Sequence, residues 1–206
     1  MTTLTNFQIY DLLNRPHPLW LVKIDLSDTN LLYADLNDCN LSYANLSRAD
    51  LNWANFMRAI LTRANLNMAN LYEAHLHMAI IQNANLTRAN LTRANLTKAD
   101  LNEAQVVETN LSRAVLTKAN LTKANLTGAI LNRADLSKSS LVGANFNGAD
   151  LSMANFFEAN LAGADFKDAN LKKADLTGAN LANCNLTGAI LDGADLTDAI
   201  LPVNDV

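Results

Sequence analysis

The chain has 206 residues, 50% of them hydrophobic and 6% aromatic, a length that suits one or two ordinary domains. Its 20 acidic and 16 basic residues leave a net charge of -4, too small to mark an obligate nucleic-acid binder or a strongly acidic mimic. No stretch approaches the ~20 apolar residues of a membrane span, and Met1 to Asn6 lack the positive and apolar regions of a secretory signal. A soluble, cytoplasmic protein with no membrane contact is the expectation.

Residues 1–20 stand apart from the rest of the chain. Leu4, Phe7, Tyr10 or Asp11, and Leu13 or Asn14 fall at rough helical spacing behind the candidate caps Thr3 and Thr5, and Pro16 and Pro18 stop any helix there. The spacing predicts a capping segment, a short helix being one form of it, laid over the open edge of the next region. A docking peptide is the alternative reading.

A period of five then runs from Ile24 to Leu201 without insertion. With Leu91 as a centre, Ala89 lies two before it, Asn90 one before, and Thr92 and Arg93 come after. Of the 36 centres from Leu26 to Leu201, 30 are leucine, the exceptions being Phe56, Ile81, Val106, Phe146, Phe156 and Phe166. The position two before is alanine at 30 of 36 places, with Ile24, Thr29, Cys39, Thr109, Ser139 and Cys184 in the others. Such strictness marks side chains confined in a tight space.

A five-residue period drifts around an α-helix and breaks the alternation of a flat strand. It fits a short extended piece pointing in, out and in, then a two-residue corner. Alanine and the centre then face inward, Asn or Asp faces out, and corners of one hand wind a coil whose turns stack at roughly 4.8 Å. One continuous all-β solenoid over 21–201 is predicted, with 202–206 as a tail in which Pro202 blunts the last edge.

Ala-Asn/Asp-Leu-Ser/Thr-x, repeated without interruption over residues 24–201, resembles the pentapeptide-repeat family. The resemblance implies a right-handed quadrilateral β-helix with four repeats, or 20 residues, per coil. About nine coils at ~4.8 Å would make a rod of roughly 43 Å. Like residues 20 apart agree with that coil: Tyr33 and Trp53, the triple Arg93, Arg113 and Arg133, and the triple Lys98, Lys118 and Lys138. Phe146 and Phe166 should stack on one inner wall, with Phe156 between them on the opposite wall.

All seven glycines, from Gly128 to Gly193, occupy the second corner position, which predicts more type II turns after Gly128 than before it. Cys39 and Cys184 take alanine's place and would lie on the order of 35 Å apart at 4.8 Å per coil, beyond disulfide reach.

Two surface groups are candidate interaction sites. Arg93, Lys98, Arg113, Lys118, Arg133 and Lys138 form a basic strip on two neighbouring corners. It reads either as a solvated face or as a site for an acidic protein surface or nucleic-acid phosphates. Tyr33, Tyr43, Trp53 and Tyr72 form an aromatic group suited to a protein contact. Along the chain, residues 1–87 carry a net -2, 88–138 a net +4 and 139–206 a net -6.

His75 and His77, near Glu73, form an H-x-H, but they straddle Leu76 at a corner and no second ligand cluster accompanies them, so surface histidines and no metal site are expected. No nucleophile and base, phosphate-binding glycine loop or paired carboxylates point to catalysis or a cofactor. The expectation is a non-catalytic protein-interaction or scaffold module, monomeric or weakly dimeric, with another protein as partner. The resemblance also admits a cyanobacterial origin and a DNA-mimicking modulator of DNA gyrase, of the family's quinolone-resistance type. A basic middle and the lack of a C-terminal dimerisation helix weigh against the gyrase reading.

Overall fold

The computed structural model describes residues 5–16 and 18–202. Thr3, Leu4 and the tail residues 203–206 lie outside them.

A helix, α1, spans Asn6–Leu13. Thr5 caps it: its Oγ1 accepts the Gln8 N–H at 3.3 Å, while Gln8 Oε1 accepts the Thr5 N–H at 2.9 Å. This reciprocal box satisfies two donors that the first helical turn would otherwise leave without partners. Asn14 closes the far end through a 2.7 Å bond from Nδ2 to the Tyr10 carbonyl, and Pro16 comes two residues later. Ile9 is buried and Leu12 partly so, both against the hydrophobic core that continues into the repeats.

From Trp20 onward every repeat has the same form, one bridging residue and then a corner. Parallel bridges join residues 20 apart, from Trp20 with Asn40 through to Asn180 with Ile200. Each repeat makes three backbone bonds to its neighbours in the stack. Asn90 N–H donates to Ala69 O at 2.9 Å, Leu91 N–H to Asn110 O at 2.7 Å and Arg93 N–H to Ser112 O at 3.0 Å. The corner itself closes through Ala94 N–H to Leu91 O at 3.0 Å. The coil therefore has 20 residues and four corners, since four five-residue repeats return the chain to its bridge partner.

Alanines and centres fill the interior as the period requires: Ala89, Leu91, Ala94 and Leu96 are all at or below 1% exposure. Where a polar residue replaces alanine, its hydroxyl is satisfied by a backbone carbonyl. Thr109 donates to Leu86 O at 2.7 Å and Ser139 to Leu136 O at 2.5 Å. Phe146 and Phe166 stack with centroids 4.9 Å apart and planes 3° from parallel. Phe156 meets them edge-on at 6.3 and 6.4 Å, the arrangement that a ring quadrupole favours.

The outward Asn and Asp do more than face solvent. Their Oδ1 accepts the N–H two residues on, as Asn90 does from Thr92 at 3.1 Å. An Asn Nδ2 can also donate to the coil before it: Asn90 bonds Asn70 Oδ1 at 2.9 Å, and Asn65 bonds Asn45 Oδ1 at 3.1 Å. Short amides suit this column because they hold their own corner and link neighbouring coils.

The expected contrast in turn type is overturned. All 36 second corner residues, from Lys23 to Asp198, have positive φ, the non-glycines between 52° and 61° and the glycines between 64° and 72°. The stacked hydrogen-bond ladder demands one corner geometry throughout, and it imposes the left-handed conformation on Lys, Arg, Glu, Tyr and Trp as well as on glycine. Each non-glycine there carries a backbone cost of roughly 1 kcal/mol, held in place by the surrounding bonds.

Candidate interaction face

The basic strip lies on two corner columns with one face of the rod between them. Arg93, Arg113 and Arg133 succeed one another in one column; Lys98, Lys118 and Lys138 do so in the next, and all six are exposed. The outward residues between the columns are Asn95, Val115 and Asp135, joined in sequence by the coil bridges. Val115 is 38% exposed.

The ends of the strip are tied down. Arg93 Nη1 meets Glu73 Oε1 at 3.1 Å and the Tyr72 hydroxyl at 3.2 Å. The Tyr72 hydroxyl and then the Arg93 guanidinium hold Glu73 below the usual carboxylate range. At the other end Lys138 Nζ is 3.4 Å from Glu158 Oε2 and lies 5.7 Å from the centre of the Phe157 ring. Arg133 Nε points at Met153 Sδ from 3.4 Å. Lys98, Arg113, Lys118 and Arg133 have no carboxylate within ion-pair distance among the described residues.

Elsewhere the fold uses the same one-coil spacing to pair opposite charges. Arg48 holds Asp28, Arg58 holds Asp38 with Nη2 to Oδ2 at 2.6 Å, and Arg88 Nε reaches Glu108 at 2.7 Å. These pairs are legible in the sequence as opposite charges 20 residues apart, a signal complementary to that of like residues at the same spacing. They also show what is distinctive about Arg113 and Lys118: the slots one coil before and after each hold another cation.

The four aromatic residues do not form one group. Tyr33 and Trp53 stack at 6.2 Å with planes 27° apart, and Trp53 meets Tyr72 edge-on at 6.0 Å. Tyr43 stands two corners away, with the Arg63 guanidinium 5.8 Å from its ring centre. A 20-residue coil separates 33 and 53 from 43 by half a turn, which is why proximity in sequence misleads here. The Tyr33–Trp53–Tyr72 cluster instead runs into the basic strip, through the Tyr72 to Arg93 bond.

His75 is exposed and His77 half-buried. Among the described residues no group of three or more His, Cys, Asp or Glu stands ready to hold a metal. Cys39 and Cys184 are buried thiols; burial pushes Cys184 up to about 11, and it donates to Leu161 O at 2.9 Å. A hollow of about 220 Å³ opens among Leu186, Leu191, Leu196, Leu201 and Pro202 at the C-terminal coils, lined by apolar side chains.

The sequence model for pentapeptide repeats matches in eight copies that together span residues 21–201. The comparison with curated proteins returns no match. Among solved structures, HetL from the cyanobacterium Nostoc sp. strain PCC 7120 is a pentapeptide repeat protein involved in heterocyst differentiation regulation. It is 34% identical over 100% of both chains, with a TM-score of 0.41. The pentapeptide repeat protein alr5209, also from Nostoc, is 35% identical over 45% of this chain and 77% of its own, with a TM-score of 0.41. A trypsin-treated form of QnrB1, a plasmid-mediated fluoroquinolone resistance protein, is 18% identical over 91% of this chain and 92% of its own. Its TM-score of 0.53 speaks for the shared fold. The four-cornered coil is accordingly the right-handed quadrilateral β-helix of such repeats. With the repeat model matched over residues 21–201 and HetL 34% identical end to end, the chain belongs to the pentapeptide repeat family.

Proposed function

We propose that the chain is a non-catalytic, cytoplasmic protein-interaction module, a rod of about nine coils with an N-terminal capping segment, monomeric or weakly dimeric. Its binding face is the one between the Arg93–Arg113–Arg133 and Lys98–Lys118–Lys138 columns. The observation that carries this reading is the stacking of like charge on Arg113 and Lys118 in slots where the same fold elsewhere places a carboxylate. An acidic surface would supply the missing counter-charges. HetL is described as involved in heterocyst differentiation regulation, and a regulatory contact is the kind of role this reading carries over. Among the described residues no helix is long and apolar enough to cross a membrane.

Gyrase modulation remains a second reading by family alone. The likeness to QnrB1 at 18% identity supports the fold and brings no residue with it.

The test is a pull-down from the source cell's lysate, with and without nuclease, comparing the wild type with a variant carrying Arg93→Glu, Arg113→Glu and Arg133→Glu. A protein retained by the wild type through nuclease treatment and lost from the variant is the expected result. Retention of the same partner by both proteins would remove the strip from the function, and a nuclease-sensitive capture would replace protein with nucleic acid.

A further inference from the structure

The outward column carries specific bonds rather than mere polarity, so an apolar residue in it has a local cost. At position 115 valine offers nothing to the Thr117 N–H, whereas Asn95, one coil earlier, accepts the Thr97 N–H at 3.0 Å. The Thr117 hydroxyl turns instead to Asp135 Oδ2 at 3.0 Å. A forgone hydrogen bond on an exposed surface is retained more readily where the apolar group has another use.

The surroundings of Val115 set it apart from the other outward apolar residues. Arg113 and Lys118 flank it along the chain, and each has a cation one coil before and one coil after. Ile60 also sits between two arginines, but Arg58 is held by Asp38 and Arg63 lies over the Tyr43 ring. Ile80, Ile130, Ile190 and Ile200 have at most one flanking cation. Position 115 is thus an exposed apolar spot inside a frame of six cations, of which Arg113 and Lys118, its own flanking pair, have no carboxylate within ion-pair distance among the described residues.

Asp135 bears on which anion fits that frame. It lies one coil from Val115 on the same face. A continuous phosphate backbone crossing the face would meet this carboxylate, while a protein segment can place its own carboxylates over the arginines and lysines and leave the middle apolar. Aromatic rings meet the strip only at its ends, Tyr72 at Arg93 and Phe157 at Lys138, so among the described residues the ring contacts stop short of Arg113 and Lys118, where a base would have to stack.

We infer that this face binds an acidic protein segment that seats an apolar side chain on Val115 between carboxylates directed at Arg113 and Lys118. The inference rests on the proposed role of the basic face in protein binding and adds the chemistry of its partner. The cations then supply attraction and orientation, and the apolar contact adds affinity for a segment that carries an apolar side chain at that place.

The probe is a fluorescein-labelled helical peptide of glutamate and leucine, monitored by anisotropy. A second peptide with serine in place of leucine and a short duplex DNA serve as comparisons. Val115→Asn restores the residue usual in this column, and Arg113→Gln with Lys118→Gln leaves two exposed corners uncharged, so both variants should fold; their melting curves check that. The expected result is binding of the glutamate–leucine peptide that weakens about five-fold or more in Val115→Asn and is lost in the double variant. The serine peptide should bind weakly and without regard to residue 115. Equal binding of the glutamate–leucine peptide by wild type and Val115→Asn would overturn the apolar seat while leaving a charge-driven face. Tighter binding of duplex DNA than of either peptide would overturn the protein partner. Equal binding by the double variant would remove the basic face altogether.

Discussion

A side chain longer than alanine at Ala119 would enter a space already closed by Leu116 and Leu121, both fully buried. Ala119→Phe should therefore cost more than ~1 kcal/mol through overpacking, whereas Lys118→Ala, on the surface beside it, should change stability little. Thermal melts of the two variants check this, and equal melting temperatures would contradict the inward and outward assignment. Cys184 gives a pH-dependent case. Its thiol is raised to about 11 by burial, against an ordinary value of 9.0. The unfolded thiol ionises first as pH rises, so this group's contribution is intact below the unfolded value and is lost as pH climbs through that window. The loss is at most about 1.4 kcal/mol per pH unit. Cys184→Ala restores the column's usual residue and should flatten the stability profile between those two values, measured as denaturant midpoints beside the wild type.

One coil is held to the next by backbone bonds and by the outward amides. Asn65 takes part on both sides: it donates to Asn45 Oδ1 at 3.1 Å, and its own Oδ1 accepts from Asn67 N–H at 3.2 Å and from Asn85 Nδ2 at 3.4 Å. Asn65→Ala removes all three and leaves partly solvated partners, a loss of about 1–2 kcal/mol. Urea denaturation would register it as a lower midpoint with an unchanged slope. Asn65→Asp should recover part of the loss, since the carboxylate still accepts but no longer donates. Helix α1 is a different kind of element. Its capping box fixes its start, and the burial of Ile9 joins it to the repeat core.

Because each coil touches only its neighbours, stability along the rod is a sum of local and nearest-neighbour terms. The interior is uniform through the middle, with Leu96, Leu116 and Leu136 fully buried, but Leu186, Leu191 and Leu196 are only partly so. Amide hydrogen exchange should be slowest around 96–136 and fastest around 186–201, in line with the number of coils that cover each amide. Equal protection along the whole rod would mean that it opens as a single unit. Charge varies along the same axis: the carboxylate-paired arginines lie toward the N-terminal half, and the like-charged columns occupy the middle.

The period of five determined the inward alanines and leucines and the outward Asn and Asp, whereas the four-repeat coil, and with it the stack of Phe146 on Phe166, was legible through the resemblance to the pentapeptide-repeat family, with like residues 20 apart in agreement. A residue held in every fifth place has its surroundings dictated by sequence neighbours and by copies of itself. Turn type was not legible from the glycines, because the ladder between coils sets the corner angle and overrides each residue's own preference. The separation of Tyr43 from Tyr33 and Trp53, and the union of Tyr72 with Arg93, came only from the closed coil, which brings residues 20 apart together and sends those ten apart to opposite corners. The pairing of Arg48, Arg58, Arg88 and Arg93, and the lack of it at Arg113 and Lys118, follows from opposite or like charges 20 residues apart, and the tertiary structure adds which of those side chains close to contact. Contact depends on how far each side chain reaches across a 20-residue step, which spacing permits and only the folded coil decides.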